Sequence, residues 1–382
     1  MLAITNTTIY TPARDRRNTA LLVEGSRISR LAPTSALDIP PQAEVIDGRG
    51  LLLVPGYLDL QLNGAFGHDF TADPSAIWEV SARLPQFGVT AYLPTLITSP
   101  LAKIKQAMQV LRQERPPAFT GADPLGLHIE GPFLNPGKKG AHNPAYLRQP
   151  DETLIAGWTP DEGIRLVTLA PELPGALPLI AELAARGIVV GAGHSLASYE
   201  EAQAGIAAGI RYGTHLFNAM TPLTQRQPGL PAAMLTASEV VTGLIADGFH
   251  VHPALIKIIW SLKGCQGLNL VSDAMAALGM PPGQYMLNEF AVSVNDGQCR
   301  LADGTIAGSV LPLDAALRNL LRFTGCTLPE ALATVTSTPA RLLGIAHERG
   351  QIAAGHIADL LLLTSDLEVQ TAISAGQIVH QS

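Results

Sequence analysis

Four polar residues, each following a short apolar run, are the residues of this chain best suited to chemistry. They are Glu130, His194, His215 and Asp273. In a parallel barrel the carboxyl ends of the strands converge on one face, so residues far apart in sequence can meet there. A carboxylate and two imidazoles satisfy the three-ligand pattern of a catalytic zinc site, which leaves one position open for water. Asp273, held off the metal, could then move protons, which is the layout of a metal-dependent hydrolase.

Each of these residues also has an ordinary explanation. A single histidine beside a buried strand is more often a hydrogen-bonded structural residue than a ligand. Glu130 could form a salt bridge with a loop lysine or arginine, and Asp273 could be a metal ligand or cap a helix. His128 shares a strand face with Glu130 and could support the site from behind. The four residues lie at the ends of predicted strands three, five, six and eight, a coincidence that favours the metal site.

Alternating strands and helices in the middle of the chain would position these residues. Helical patterns such as Ile77–Phe87 and Tyr199–Ala208 separate eight apolar runs. The predicted strands are Tyr57–Leu62, Thr90–Pro94, Leu125–Glu130, Arg165–Ala170, Ile188–Ala192, Arg211–His215, Val240–Ala246 and Leu268–Ser272. Eight such units favour an α/β fold of the (β/α)8, TIM-like barrel type over an open doubly wound sheet. No Gly-x-Gly-x-x-Gly motif follows the first strand, which weakens the dinucleotide-binding alternative.

Both ends of the chain have a different pattern, of short strands and turns. At the carboxyl end the candidate strands are Gly350–Gly355, Ala358–Leu363 and Ala372–Val379. Neither end offers enough strand surface for a core of its own, so we expect both to pair into one small β-sandwich. The predicted domains are residues 1–53 with 346–382 for the β-sandwich, and residues 54–345 for the barrel.

Composition excludes several classes of protein. The chain has 382 residues, of which 47% are hydrophobic, and its formal net charge of −7 argues against a nucleic-acid-binding surface. Its three cysteines are widely spaced, which fits free thiols better than a disulfide framework. No secretory signal and no apolar stretch of about 20 residues is recognisable. The sequence therefore predicts a cytoplasmic protein with no membrane partner.

The order of several motifs resembles the amidohydrolase superfamily and, within it, the N-acetylglucosamine-6-phosphate deacetylase family. These motifs span most of the predicted barrel, and the terminal segments also match the small β-domain of that family. The motifs are Pro55–Gly64, Tyr92–Leu96, His128–Asn135, Lys138–Pro144, Ala192–Ser195, His215–Met220 and Ala246–Val251. The resemblance implies hydrolysis of N-acetyl-D-glucosamine 6-phosphate to D-glucosamine 6-phosphate and acetate, in amino-sugar catabolism or recycling.

The chain departs from the wider superfamily at the end of the first strand. Many members carry His-x-His there, and several add a carboxylated lysine after strand four to hold a second metal. This chain has Gln61 and Asn63 instead, and its predicted fourth strand contains no lysine. The resemblance therefore implies one divalent ion per subunit and a vacant second-metal region at Gln61 and Asn63. Zinc is the first expectation, and Fe²⁺, Co²⁺ and Mn²⁺ suit the same ligands.

The resemblance also assigns contacts with the acetylated end of the substrate. His142, which follows Ala141, would contact the sugar and help polarise the acetyl carbonyl. Alternatively, His142 could be a structural histidine of an ordered loop. The backbone of Ala307, Gly308 and Ser309 would lie close to the acetyl group.

A second set of residues would bind the sugar phosphate. The backbone at Asn218 and Ala219 would hold the phosphate together with Arg226, whose planar guanidinium can bind two oxygens. Arg226 could equally be an ordinary surface charge. In the resembled family, the histidine corresponding to His250 reaches the phosphate from a neighbouring subunit, which implies a homodimer with shared active sites.

Three alternatives stay open. The same chemistry could act on N-acetylgalactosamine 6-phosphate, which differs in the configuration of one hydroxyl. Another amidohydrolase, such as a cyclic-amide hydrolase or an aminoacylase, is a second alternative, although Gln61 and Asn63 count against a binuclear version. The third is a catalytically inactive barrel that serves as a binding scaffold, in which some of the four chemical residues would be expected to be lost.

Overall fold

The computed structural model describes residues 1–10, 15–113 and 115–382. In chain order its strands are β1 (Leu2–Tyr10), β2 (Asp15–Glu24), β3 (Arg27–Pro33), β4 (Glu44–Asp47), β5 (Leu52–Pro55), β6 (Tyr57–Leu62), β7 (Gly64–Ala65), β8 (His68–Asp69), β9 (Val89–Ile97), β10 (Asp123–Pro124), β11 (Leu127–Glu130), β12 (Ile164–Leu169), β13 (Val189–Ala192), β14 (Ile210–Gly213), β15 (Val241–Leu244), β16 (Leu268–Leu270), β17 (Gly283–Leu287), β18 (Phe290–Asn295), β19 (Gln298–Arg300), β20 (Leu360–Leu363), β21 (Val369–Ser374) and β22 (Gln377–Gln381). Its helices are α1 (Ile77–Arg83), α2 (Leu101–Arg112), α3 (Ala176–Ala185), α4 (Tyr199–Ala208), α5 (Gly229–Thr236), α6 (Pro253–Gly267), α7 (Leu313–Thr324), α8 (Leu328–Ala333) and α9 (Ser337–Leu342). Among the described residues, no helix is long and apolar enough to cross a membrane.

The central sheet is a parallel barrel, as the sequence predicted. Its strands follow one another in the order β6, β9, β11, β12, β13, β14, β15 and β16, and the short β10 also pairs with β9. At the carboxyl ends, the backbone N–H of Asp273 donates to the carbonyl of Gln61 at 2.8 Å, and that of Asn63 donates to Ala274 at 2.8 Å. These bonds join the last strand to the first, so the ring closes on the side where parallel strands present functional residues.

The barrel strands form where apolar residues run without alternation, because both faces of such a strand are covered. All nine residues of β9 are buried, as are all six of β6. Helices α1 to α6 connect successive barrel strands, except between β11 and β12, where the long connection contains only short 3-10 turns. The packing therefore leaves the strand ends, rather than the strand faces, as the place for a site.

Strands from both ends of the chain form one mixed sheet in the order β22, β21, β20, β5, β1, β2 and β3, with β4 paired to β1. Along β20, Leu360 and Leu362 pack in a core of terminal strands, whereas Leu361 and Leu363 belong to the barrel core. The predicted pairing of the termini is thus confirmed. Residues 350–355 do not form the expected strand, because left-handed Gly350 and Gly355 turn the chain. The domain division at residues 53 and 346 stays a prediction.

A three-stranded antiparallel sheet, β17 to β19, lies between the last barrel strand and α7 and was not predicted. It has a small core of its own, in which Leu287 and Val292 are buried together with Met275. At the tip of the first hairpin, the backbone N–H of Asn288 donates to Asp69 Oδ2 at 2.9 Å. The insertion is therefore anchored beside the carboxyl ends of the barrel strands, where it can form a wall of a site.

Candidate active site

Three of the predicted residues meet at the carboxyl end of the barrel. Glu130 Oε1 lies 3.1 Å from His194 Nε2 and 2.9 Å from His215 Nε2, and the two imidazole nitrogens are 3.1 Å apart. All three side chains are buried. Burial alone raises the pKa of the Glu130 carboxyl, but hydrogen bonds and charge from the two histidines hold that pKa well below its ordinary value.

The arrangement of hydrogen bonds fits a cation at this point. His194 Nδ1 lies 2.8 Å from the carbonyl oxygen of Lys138 and donates its proton there, so Nε2 is the ring nitrogen that would bind a metal ion. His194 Nε2 faces Glu130 Oε1. In a tetrahedral zinc site, ligand atoms at their usual bond lengths lie about 3.3 Å from one another. The observed separations are close to that value, so the cluster can hold a divalent metal.

The backbone turns sharply at three of the four chemical residues. His194, His215 and Asp273 have φ angles of 49°, 30° and 48°, in the left-handed region that residues other than glycine seldom adopt. Such conformations persist only where surrounding contacts enforce them, and they concentrate at functional sites. Here the left-handed turn directly after each strand directs the side chain back across the barrel mouth.

Asp273 lies beside the cluster of Glu130, His194 and His215 but is not part of it. Its Oδ1 accepts a hydrogen bond from Asn63 Nδ2 at 2.8 Å, and its side chain is buried. Burial is the main cause that raises the pKa of Asp273 to about 6, while the nearby His215 acts in the opposite direction. A carboxyl group with a pKa near neutrality can both take up and release a proton, which suits a general base that later acts as an acid.

His142 is held in one tautomer by residues of another loop. Its Nδ1 accepts a hydrogen bond from the backbone N–H of Thr98 at 3.1 Å, so the ring proton is on Nε2. Burial, followed by the charge of His194, lowers the pKa of His142 to about 3. His142 is therefore neutral at pH 7, and its Nε2 lies 3.8 Å from Glu130 Oε2. That N–H is available to a carbonyl oxygen bound next to the cluster.

A cavity of about 550 Å³ opens above the cluster and is lined by most of the predicted substrate-binding residues. The predicted residues that line it are Asn63, Ala141, His142, Asn218, Ala219, His250, Ala307 and Gly308, with the metal cluster and Asp273. Lys138, Lys139, Leu287, Asp303 and Thr305 also line it and were not predicted as site residues. The paired lysines are visible in the sequence, but their place at the cavity depends on how the loop after β11 folds.

Other predicted residues lie elsewhere. Arg226 is exposed, on the loop between β14 and α5, and it is not among the described residues that line the cavity. Ser309 is buried, and its hydroxyl donates to the carbonyl of Ser272 at 2.6 Å, so it contributes to the closure of the barrel. Gln61 is also buried, and its Nε2 lies 3.3 Å from Glu130 Oε1, behind the cluster. His128 contacts Thr168 and the Leu60 carbonyl rather than a ligand.

His250 reaches the cavity of its own chain. Its Nδ1 lies 2.6 Å from Asp247 Oδ2, and this contact fixes the ring within the cavity wall. The contribution of His250 to the site of a neighbouring subunit stays a prediction. The homodimer itself stays a prediction.

Comparison with known proteins agrees with this geometry. The sequence pattern of the Amidohydrolase family matches residues 52–379. Human N-acetylglucosamine-6-phosphate deacetylase is 39% identical over 353 residues, which cover 88% of this chain and 85% of the human protein. The crystal structure of N-acetylglucosamine-6-phosphate deacetylase from Pasteurella multocida superposes with a TM-score of 0.92 at 34% identity, covering 99% of both chains. An N-acetylgalactosamine-6-phosphate deacetylase from Escherichia coli O157:H7 is 36% identical over 344 residues, covering 89% of this chain and 90% of its own.

The barrel, the buried cluster and the matched sequence pattern define a metal-dependent hydrolase fold, and the chain belongs to the amidohydrolase family. Within that family, the resemblance to the N-acetylglucosamine-6-phosphate deacetylases is confirmed, because relatives of that name match most of the chain at more than 30% identity.

Proposed function

We propose that the chain removes the acetyl group of N-acetyl-D-glucosamine 6-phosphate and releases D-glucosamine 6-phosphate and acetate. One observation carries this proposal. A buried Glu-His-His cluster, with Asp273 beside it, opens into a cavity of suitable size in a chain whose relatives are named for this reaction. Ligand cavities for small molecules commonly have volumes of 300–1,000 Å³.

The four chemical residues divide the work of breaking the amide bond. Glu130, His194 and His215 would hold one divalent ion, with zinc as the proposed metal, and a bound ion of this kind polarises a carbonyl and acidifies water. Asp273 takes a proton from the attacking water and returns it to the amine nitrogen as the C–N bond breaks. His142 donates its Nε2–H to the acetyl carbonyl oxygen, where negative charge develops.

The sugar phosphate is proposed to lie at the other end of the cavity. The backbone at Asn218 and Ala219 and the ring of His250 line the cavity and are the proposed phosphate contacts. Arg226 is exposed on the loop between β14 and α5, and its contact with the phosphate stays a prediction. Backbone N–H groups in a turn with a left-handed residue, such as Ala219 with a φ of 50°, form concavities that bind anions.

The first experiment measures acetate release from three sugars under one set of conditions, with Zn²⁺ supplied. We expect turnover of N-acetylglucosamine 6-phosphate, and a kcat/KM at least about 100-fold lower for the sugar without phosphate, because charged phosphate contacts are lost. The galactosamine epimer is the third substrate, since one relative carries that name. A preference for the epimer would reassign the substrate, and no acetate from any of the three would refute the proposal.

We also propose that the chain forms a homodimer. Leu255, Ile258 and Leu262 form an exposed apolar face on α6, and Phe249, beside His250, is half exposed. Apolar side chains grouped on a surface favour a protein contact. Sedimentation equilibrium should give twice the chain mass of 40.2 kDa, and Ile258→Glu should give a monomer. Leu177→Glu, at an exposed leucine of α3, is the matched control and should stay dimeric. A monomeric parent protein would contradict the proposal.

A further inference from the structure

Glu172, which no motif of the sequence singled out, lies three residues after Leu169, where the fourth barrel strand β12 ends, and joins two neighbouring loops. Its Oε1 accepts hydrogen bonds from Asn135 Nδ2 at 2.9 Å and from the backbone N–H of Leu196 at 2.6 Å. Its Oε2 accepts from Ser195 Oγ at 2.7 Å. Among the described residues, no lysine, arginine or histidine forms an ion pair with Glu172. The carboxylate is therefore satisfied by three donors that all belong to the loops around His194.

These bonds act on both sides of the proposed ligand His194. Ser195 and Leu196 follow it directly in the chain. Asn135, on the other side, donates its backbone N–H to the His194 carbonyl at 2.9 Å. The loop that begins at Asn135 also carries the Lys138 carbonyl, which accepts the Nδ1 proton of the ring. The Glu172 carboxylate thus links the backbone that follows His194 to the loop whose Lys138 carbonyl holds the His194 ring. His194 itself has an unfavourable left-handed φ of 49°.

We infer that Glu172 is a positioning residue that holds His194 in the orientation needed to bind the metal. The inference rests on the proposed metal site. Groups that orient a metal-ligating histidine raise metal affinity although they do not touch the ion. A merely structural role predicts only a loss of stability, whereas a positioning role predicts a loss of metal affinity that exceeds any change in folding.

The test measures the Zn²⁺ affinity of the metal-free full chain by competition with a chromogenic chelator. Glu172→Gln keeps the size of the side chain but removes the charge that the three donors share. We expect it to weaken Zn²⁺ binding by roughly 10- to 100-fold. We also expect kcat to return to the parent value when Zn²⁺ is raised to saturation, because the substrate contacts are unchanged. The thermal midpoint of the metal-free protein reports on folding independently.

Glu201→Gln is the matched control, because Glu201 is exposed and, among the described residues, its side chain accepts only from the Ser198 backbone in the cap of α4, a role that glutamine also fills. It should bind Zn²⁺ as the parent does. If Glu172→Gln fails to fold, Ser195→Ala removes one of the three bonds and should weaken Zn²⁺ binding several-fold. Zn²⁺ affinity within about two-fold of the parent, in whichever of these two variants folds, overturns the inference. A parent chain that binds Zn²⁺ but releases no acetate overturns only the proposed substrate.

Discussion

Asp273→Asn is expected to lower the kcat for acetate release by about 10³-fold, the middle of the range for loss of a general acid–base group. Asparagine has nearly the same shape as aspartate, and its amide oxygen can still accept the hydrogen bond that Asn63 Nδ2 gives at 2.8 Å. It cannot take the proton of water or deliver one to the amine nitrogen. KM and bound metal should change little, because Asp273 lies outside the ligand cluster. Turnover at saturating substrate, with metal content measured on the same sample, checks this expectation.

A second acidic residue of the cavity offers the control for that experiment. Asp303 also lines the cavity, but it is exposed and its Oδ1 accepts from the backbone N–H of Thr305 at 2.9 Å. Asp303→Asn removes the same charge from the same cavity without touching the cluster, so kcat should stay within a few-fold of the parent. If both variants lose activity equally, the loss is caused by removing a negative charge from the cavity and not by removing a proton carrier. If Asp273→Asn retains more than a tenth of the parent kcat, Asp273 does not carry the proton.

Sequence patterns predicted the barrel because uninterrupted apolar runs that alternate with helical patterns are compatible with few folds other than a parallel barrel. The bounds of β6 and α4 agree with the prediction at both ends. The β17–β19 insertion was missed, although Val292 and Val294 alternate with the polar residues Ser293 and Asn295. That alternation spans only short strands, and its small core forms partly with residues outside the insertion. Such a unit gives a weak pattern on its own.

Residue types and their places at strand ends predicted the metal cluster, but they could not supply its supporting contacts. The tautomer of His142 depends on Thr98, which is 44 residues away and belongs to another loop. The role of Glu172 likewise depends on two loops that meet only in the fold. Left-handed φ angles at His194, His215 and Asp273 have no signature in the sequence, since none of these residues is glycine. Arg226 is exposed on the loop between β14 and α5, and its role in phosphate binding stays a prediction.

Glu130→Gln should remove the metal and with it the activity. Loss of a group that merely orients a ligand costs roughly 10- to 100-fold in metal affinity, so loss of the central carboxylate should cost more than about 100-fold. Glutamine keeps the volume of the buried side chain, but it replaces the anion that lies 2.9 Å and 3.1 Å from the two imidazole nitrogens. Two neutral histidines and an amide oxygen are a poor site for a divalent cation. Metal content after dialysis, measured by elemental analysis, should fall from one ion per chain to near zero.

Chelation and metal return separate this loss from a folding defect. The parent should lose acetate release when a chelator removes its metal and should regain it when Zn²⁺ is restored, because the ligand atoms belong to rigid strand ends. Glu130→Gln should regain none under the same treatment, while its circular dichroism spectrum stays that of the parent. A parent chain without stoichiometric metal would favour the inactive scaffold instead. A Glu130→Gln variant that holds one ion per chain and stays active would show that the imidazoles alone bind the metal, and the three-ligand site would have to be abandoned.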